Sequence, residues 1–237
     1  MELRKPREAD AKSISRKPDA VRSREDILAV ARQEFAENGL SGARVDSIAA
    51  RTQTTKRMIY YYFGSKEGLY LAVLEKVYSD IRSVEQDLDL ASLTPIDAVR
   101  RMIEFTFDYE EAHPDFIRLV SIENIHHGRH IAQSDKLRGQ NLAMLGTLAA
   151  ILKRGQKEGV FRSDVDAVDL HLMISAFCFF RVSNRHTFGT LFRFDLTAPE
   201  QRRKHKRMIC DAIIRMLEPR ASRTKPARLR AGAHRIR

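Results

Sequence analysis

Between residues 23 and 218 apolar side chains recur at intervals of three and four almost without a break, which is the spacing of amphipathic helices. The first such stretch, "SREDILAVARQEFAEN" (residues 23–38), opens on Ser23 with Asp26 in the position that a capping box gives to Glu or Gln. Ile27, Ala31 and Phe35 form its stripe with Leu28 and Val30 beside it, and Gly39 is placed to stop it. A short second helix is expected from Val45 to Arg51, with Ile48 and Ala49 turned inward.

The stretch "TTKRMIYYYFGSK" (residues 54–66) follows. Thr55 suits an N-cap, with Lys56 and Arg57 in the first turn, where cations oppose the helix dipole. That unfavourable placement points to an anionic partner. Ile59 and Phe63, four apart, can plug a core, while Met58, Tyr60, Tyr61 and Tyr62 fall on other faces. Gly64 ends this helix and Ser65 caps the next, with Lys66 in its first turn. Two neighbouring helix N-termini thus carry free N–H groups and cations, which suits a nucleic-acid backbone.

Further along, a long helix is expected over 65–88, with Leu69, Ala72, Val73, Lys76 and Val77 near one stripe. Others follow over 94–112, after His113-Pro114, and over 136–158, 165–186 and 198–217. The segment "VDLHLMISAFCFFRV" is apolar on nearly every side and is therefore expected to be buried on nearly every side. Residues 1–22 and 219–237 lack apolar period and read as disordered arms.

Charge alters this picture less than its total suggests. The net +11 is concentrated in the arms, +3 over residues 1–22 and +7 over 219–237, whereas residues 67–218 carry −1. The arms could touch phosphates nonspecifically or simply aid solubility. The run "RRKHKR" (202–207) lies on the last helix and reads as a solvated face. With no opening apolar region and no apolar run approaching ~18 residues, a cytoplasmic protein without membrane contact is expected. Cys178 and Cys210, far apart in apolar helices, read as core residues. His126, His127 and His130 lack a completing ligand, so no metal or other cofactor is expected. Without a P-loop, GxGxxG, HExxH or nucleophile elbow, the chain does not read as an enzyme.

Residues 27–74 resemble the N-terminal domain of TetR-family transcriptional regulators. The matching features are Phe-Ala-x-x-Gly closing the first helix, Asp-x-Ile-Ala in the second, and the Tyr-x-x-Phe-x-Ser-Lys-Glu-x-Leu junction. The resemblance implies a helix-turn-helix, with 45–51 as first helix and 55–61 as the recognition helix in the major groove. Thr55, Lys56, Arg57, Met58 and Tyr61 would then face bases, Tyr60 and Lys66 would hold phosphates, and Tyr62 would serve either the core or the backbone contact. Gln53 stands where the family usually has Gly, and Thr54 where it has an apolar residue; left-handed geometry at Gln53 carries a modest cost.

The expected fold is therefore all-α: an N-terminal three-helix helix-turn-helix domain (23–68) joined to a helical ligand-binding and dimerisation domain (69–218). The segment "SNRHTFGTLFRFDL" (183–196) resembles a subgroup of the family seen with regulators of aromatic or heterocyclic compound catabolism. Candidate pocket residues are Phe105, Tyr109, Phe116, Arg118, Met144, His171, Phe177, Phe180 and Arg181. Ile209, Ala212, Ile213, Met216 and Leu217 form a stripe for a partner helix, giving a homodimer through a four-helix bundle. The implied function is repression at a pseudo-palindromic double-stranded DNA operator, relieved by a small-molecule effector. The competing reading is an effector-independent architectural or protein-interacting DNA-binding factor.

Overall fold

Helix α1 spans Arg16–Gly42 and carries Ile27, Ala31 and Phe35 on one face, all fully buried. It belongs to a computed structural model that describes residues 16–219, with side chains from Ser23 onward. The helical backbone over 16–22 corrects the expectation of a disordered arm there, and Pro18 is tolerated because first-turn amides have no intrahelical acceptor. The expectations for residues 1–15 and 220–237 lie outside the described residues. Gly39 breaks the helical geometry (φ 67°, ψ 175°), so the first helix is interrupted where the sequence places its stop, and a further short turn follows to Gly42.

Helices α2 (Val45–Arg51) and α3 (Lys56–Phe63) complete a three-helix head. Ile48 and Ile59 are fully buried beside Phe35, and each such side chain contributes about 1.5–3 kcal/mol. Helix α4 (Lys66–Gln86) leaves the head through Leu69, Tyr70, Val73, Leu74, Val77 and Ile81. Lys76 is not on that stripe; it points outward and pairs with Asp80. Phe35 meets Tyr70 edge-on at 5.2 Å, tying α1 to α4.

The body comprises α5 (Pro95–Ala112), α6 (Pro114–Ile125), α7 (Asp135–Lys157), α8 (Ala167–Ser183), α9 (Arg185–Phe192) and α10 (Pro199–Leu217), with a single 3-10 turn at Ile131–Gln133. Among the described residues there is no strand. The helix expected over 165–186 is shorter and is followed by the separate α9, which ends at Arg193 in the left-handed region (φ 49°). Arg154 pins the loop between α4 and α5 to α7 by donating to the carbonyls of Leu90 (3.2 Å), Ala91 (2.6 Å) and Leu93 (2.9 Å).

Two expectations about the body change. Ile209, Ile213 and Leu217 are buried inside their own chain, packed with Met102, Ile103 and Phe107, and Met216 is half-buried; only Ala212 of that stripe is exposed. Helical spacing marks the face that needs covering but does not say which element covers it. Conversely α8 is not enclosed: Val168, Leu172, Met173, Phe177 and Phe180 lie open to solvent in the protomer. They run along one side of the helix with Ala176, while Leu170, Ile174 and Cys178 face the core.

Candidate nucleic-acid interface and internal cavity

The outward surface of the head is built on two capped helix starts. Thr55 Oγ1 accepts from the Met58 amide at 3.2 Å, and Ser65 Oγ accepts from the Gly68 amide at 3.0 Å. Between α2 and α3, Gln53 adopts the left-handed conformation (φ 51°) that the turn requires. Gly64 (φ 76°) reverses the chain after α3. Gly68 must be glycine: a Cβ there would stand 2.1 Å from the Phe63 carbonyl oxygen, so α4 starts directly against the end of α3.

With Ile59 buried, α3 turns Thr55, Lys56, Arg57, Met58, Tyr60 and Tyr61 to solvent, Tyr61 at 77% exposure. Tyr62 is half-buried and packs against the head, its ring 5.4 Å from Tyr61 and 6.2 Å from Phe63. Lys56 Nζ lies 3.1 Å from Asp46 of α2. Lys66 Nζ donates to the Ser41 carbonyl at 3.2 Å, so it anchors the end of α1 from the start of α4.

A residue that periodicity did not single out holds this surface in place. Glu34 on α1 is 6% exposed, and its carboxylate accepts from the Arg44 amide at 3.0 Å and from Ser47 Oγ at 3.1 Å. Arg44 is the N-cap of α2 and offers no side-chain cap of its own. Glu34 therefore caps α2 from a neighbouring helix, and a carboxylate suits the positive end of the helix dipole. The only hint in the sequence is an acid next to Phe35 on the buried side.

Inside the body, α4, α5, α6, α7 and α8 enclose a cavity of about 230 Å³. Its apolar wall includes Met102, Phe116, Met144, Ile174 and Phe179; its polar groups include Tyr78, Arg82, Glu85, Glu110, Asn141 and His171. Arg82 pairs with Glu85 and donates to Asn141 Oδ1 at 3.1 Å, bridging α4 to α7. Arg82, Glu85 and Met144 also line an outer groove of about 700 Å³ between α4 and α7. Burial pushes Glu110 up to about 8, with Glu111 adding to the shift and Arg82 opposing it. Burial, helped by the charge of Arg82, holds His171 below its ordinary value and thus neutral. Burial likewise raises Tyr78.

Of the nine expected pocket residues, Phe116, Met144 and His171 line this cavity. The other six do not. Tyr109 is buried against His113 and Phe116, and Phe105 packs on Tyr109. Arg118 is exposed on α6 beside a separate groove, and Phe177 and Phe180 point outward. Arg181 is buried but already satisfied: it donates to Glu111 at 3.0 Å and to the Leu196 carbonyl at 2.6 Å, contacts His205, and lies over the Phe107 ring at 4.9 Å.

Two other polar clusters hold the fold. Glu123, 1% exposed, receives the His130 amide at 2.7 Å, His130 Nδ1 at 2.9 Å and the Ile131 amide at 3.1 Å. Among the described residues no group of three or more His, Cys, Asp or Glu side chains is placed to hold a metal ion. On α10, Lys206 reaches Asp108 at 2.7 Å and Arg202 reaches Glu111 at 3.4 Å, so these two residues of the basic run attach α10 to α5. No described helix is long and apolar enough to cross a membrane.

Residues 27–73 match the family model of bacterial regulatory proteins of the tetR family, and residues 95–213 match that of the tetracyclin repressor-like C-terminal domain. The chain belongs to the TetR family. It is a DNA-binding transcriptional regulator with a helix-turn-helix head and a helical C-terminal domain.

Among its relatives, the HTH-type transcriptional repressor NicS of Pseudomonas putida is 36% identical, over 85% of this chain and 95% of that protein. The HTH-type transcriptional repressor SCO4008 of Streptomyces coelicolor is 34% identical, over 68% of this chain and 78% of that one. Among solved structures, the putative transcriptional regulator SCO4942 of Streptomyces coelicolor superposes with a TM-score of 0.63 at 25% identity, covering 83% of this chain and 99% of that one. In TetR terms α2 and α3 are the helix-turn-helix, and α4 is the connection between head and body. Residues that sequence reasoning missed, Arg82 and Glu110 above all, sit at ends of helices where a charged residue ordinarily reads as solvent-facing.

Proposed function

We propose that the protein is a homodimeric repressor that holds a pseudo-palindromic operator until a small molecule enters the α4–α8 cavity. The observation that carries this reading is that one helix serves both ends: α4 starts against α3 at Gly68 and supplies Tyr78, Ile81, Arg82 and Glu85 to the cavity wall. A ligand acts only through different affinities for the DNA-bound and free conformations, and a shift of α4 gives it that leverage.

In this reading Lys56, Arg57, Thr55, Met58 and Tyr61 contact base edges, and Tyr60 and Lys66 contact phosphates, with Tyr62 supporting them from the head. The second copy covers the exposed face of α8, namely Leu172, Met173, Phe177 and Phe180, together with Met208 and Ala212 of α10. Exposed apolar side chains of this kind suit an association surface, and two helices from each subunit would form a four-helix bundle about a two-fold axis. The names of the two repressor relatives support repression as the outcome.

The experiment is fluorescence anisotropy of the full chain on its operator, titrated with a panel of small metabolites. Release by one compound class, with affinity for random DNA unchanged by the rest, supports the reading. If every compound that binds the cavity leaves operator affinity unchanged, the effector-independent reading takes its place.

A further inference from the structure

The cavity contains two buried polar atoms that the protein itself does not satisfy. Glu110 is 6% exposed and lines the cavity, yet its Oε2 has no hydrogen-bonding partner. The Nε of Arg82, also in the lining, is buried without an acceptor, although the two terminal nitrogens of the same guanidinium are used on Glu85 and Asn141. An unmade buried hydrogen bond typically costs on the order of 1–3 kcal/mol. Tyr70 Oη, Gln201 Oε1 and Arg202 Nε are also buried without a hydrogen-bond partner, but Glu110 Oε2 and Arg82 Nε are the two that belong to residues lining one cavity.

Resting on the reading of this cavity as the effector site, we propose that the effector is an uncharged, single-ring planar molecule with an N–H donor and a carbonyl oxygen on one edge, the N–H meeting Glu110 and the carbonyl meeting Arg82 Nε. Size supports one ring: a cavity of roughly 150 Å³ holds benzene, and this one is about 230 Å³. Shape supports a flat ring, because Tyr78, Phe116 and Phe179 contribute aromatic faces, the first two edge-on at 5.3 Å.

Charge decides against the alternatives. An anion would find the only cation of the lining already paired with Glu85, and Glu110, which keeps its proton up to about pH 8, offers no positive charge in its place. A cation would answer Glu110 but leave Arg82 Nε unpaired and add a like charge beside the guanidinium. His171 contributes no positive charge, and Tyr78 no negative one. A neutral donor–acceptor edge satisfies both orphaned atoms and moves no net charge into the interior.

The test is the thermal shift of the full-length protein with four single-ring probes: 2-pyridone, benzoate, benzylammonium and toluene. The proposal expects 2-pyridone alone to raise Tm, by roughly 5–10 °C at about a hundredfold excess over its Kd. Glu110→Met should raise the ligand-free Tm, since it removes an unpartnered buried acid, and weaken 2-pyridone about tenfold or more. Glu110→Gln, neutral and able both to donate and to accept, should keep the binding.

A larger shift with benzoate or benzylammonium would overturn the proposed class while leaving the effector reading intact. Silence from all four probes, or an unchanged 2-pyridone shift in Glu110→Met, would overturn the proposal. The effector reading would then stand or fall by the operator-release titration.

Discussion

Lys66 has a partner before any DNA arrives, the carbonyl of Ser41 at 3.2 Å. Its ammonium has three donors, so one bond to the backbone leaves two free for the phosphate contact proposed above. Lys66→Ala is therefore expected to weaken binding to operator and random DNA alike and to reduce the log–log salt slope by about 1. Arg57 is exposed on α3 and has no such tether. Arg57→Ala should cost about 1–3 kcal/mol at the operator and much less on random DNA. Competition binding at several salt concentrations separates the two roles, and a swapped pattern would exchange the assignments.

Glu110 makes a different prediction, in stability. Its native value of about 8 lies above the ordinary 4.5, so between those pH values the native state holds a proton that the unfolded chain has lost. The stabilising contribution is thus fully present below about pH 4.5, falls as pH rises toward about 8, and is flat beyond. Over that window the loss is on the order of a few kcal/mol. Urea titrations of wild type and Glu110→Gln at pH 5 and pH 8 check it: the variant should lack this decline.

At the level of helices, the contact between α3 and α4 has no slack. A Cβ on Gly68 would meet backbone, the Phe63 carbonyl at 2.1 Å, and no rotamer change relieves that. Gly68→Ala is expected to push the recognition helix off its seat, lowering operator affinity at least about tenfold and destabilising the head by ~1–3 kcal/mol. Anisotropy and thermal melts read the two effects, and a variant with wild-type affinity would refute the close-packed junction.

How much of this was legible in the sequence varies by element. The caps at Thr55 and Ser65 and the plug at Ile59 follow from local chemistry, which acts within a few residues and so leaves its mark in the letters, whereas the turn at Gln53 was legible only through the family resemblance, since Gln is not the residue that local chemistry favours at a left-handed position. The stripe on α10 was legible as a buried face but not as one buried by its own chain. The uniform apolarity of α8 hid a division between the two sides of the helix, one facing the core and the other exposed in the protomer. Glu34, Arg82 and Glu110 were illegible for a common reason. Glu34 meets the start of α2, Arg82 reaches Asn141 on α7 in addition to Glu85 on its own helix, and Glu110 Oε2 has no partner; no spacing rule along one helix reveals the contacts to other helices or the missing one.

At the scale of the whole molecule, α4 spans 21 residues, about 31 Å of helix, from the α3 junction to the cavity wall. Arg32 of α1 reinforces the link by pairing with Asp115 of α6, Nη2 to Oδ1 at 2.9 Å, and by approaching Asp80 of α4 at 3.7 Å. Arg32→Ala is expected to leave operator affinity near wild type while reducing the effector's release factor, the coupling dropping by roughly 0.5–2 kcal/mol. Comparing operator Kd with and without effector measures this, and an unchanged release factor would remove Arg32 from the linkage.

The proposed dimer is tested on the same scale. Leu172 is 60% exposed in the protomer, and Leu172→Glu would put a charge at the centre of the association face. A monomer in sedimentation, with intact helical signal and lost operator binding, is the expected result; a dimer of wild-type strength would place the interface elsewhere.

The most direct measurement of the central claim is selection of genomic fragments by the purified full-length protein, followed by sequencing. The account predicts a sharp pseudo-palindrome whose half-sites are separated by about one helical turn, ~34–36 Å, or a multiple of it. Broad, weak enrichment without two-fold symmetry would contradict it.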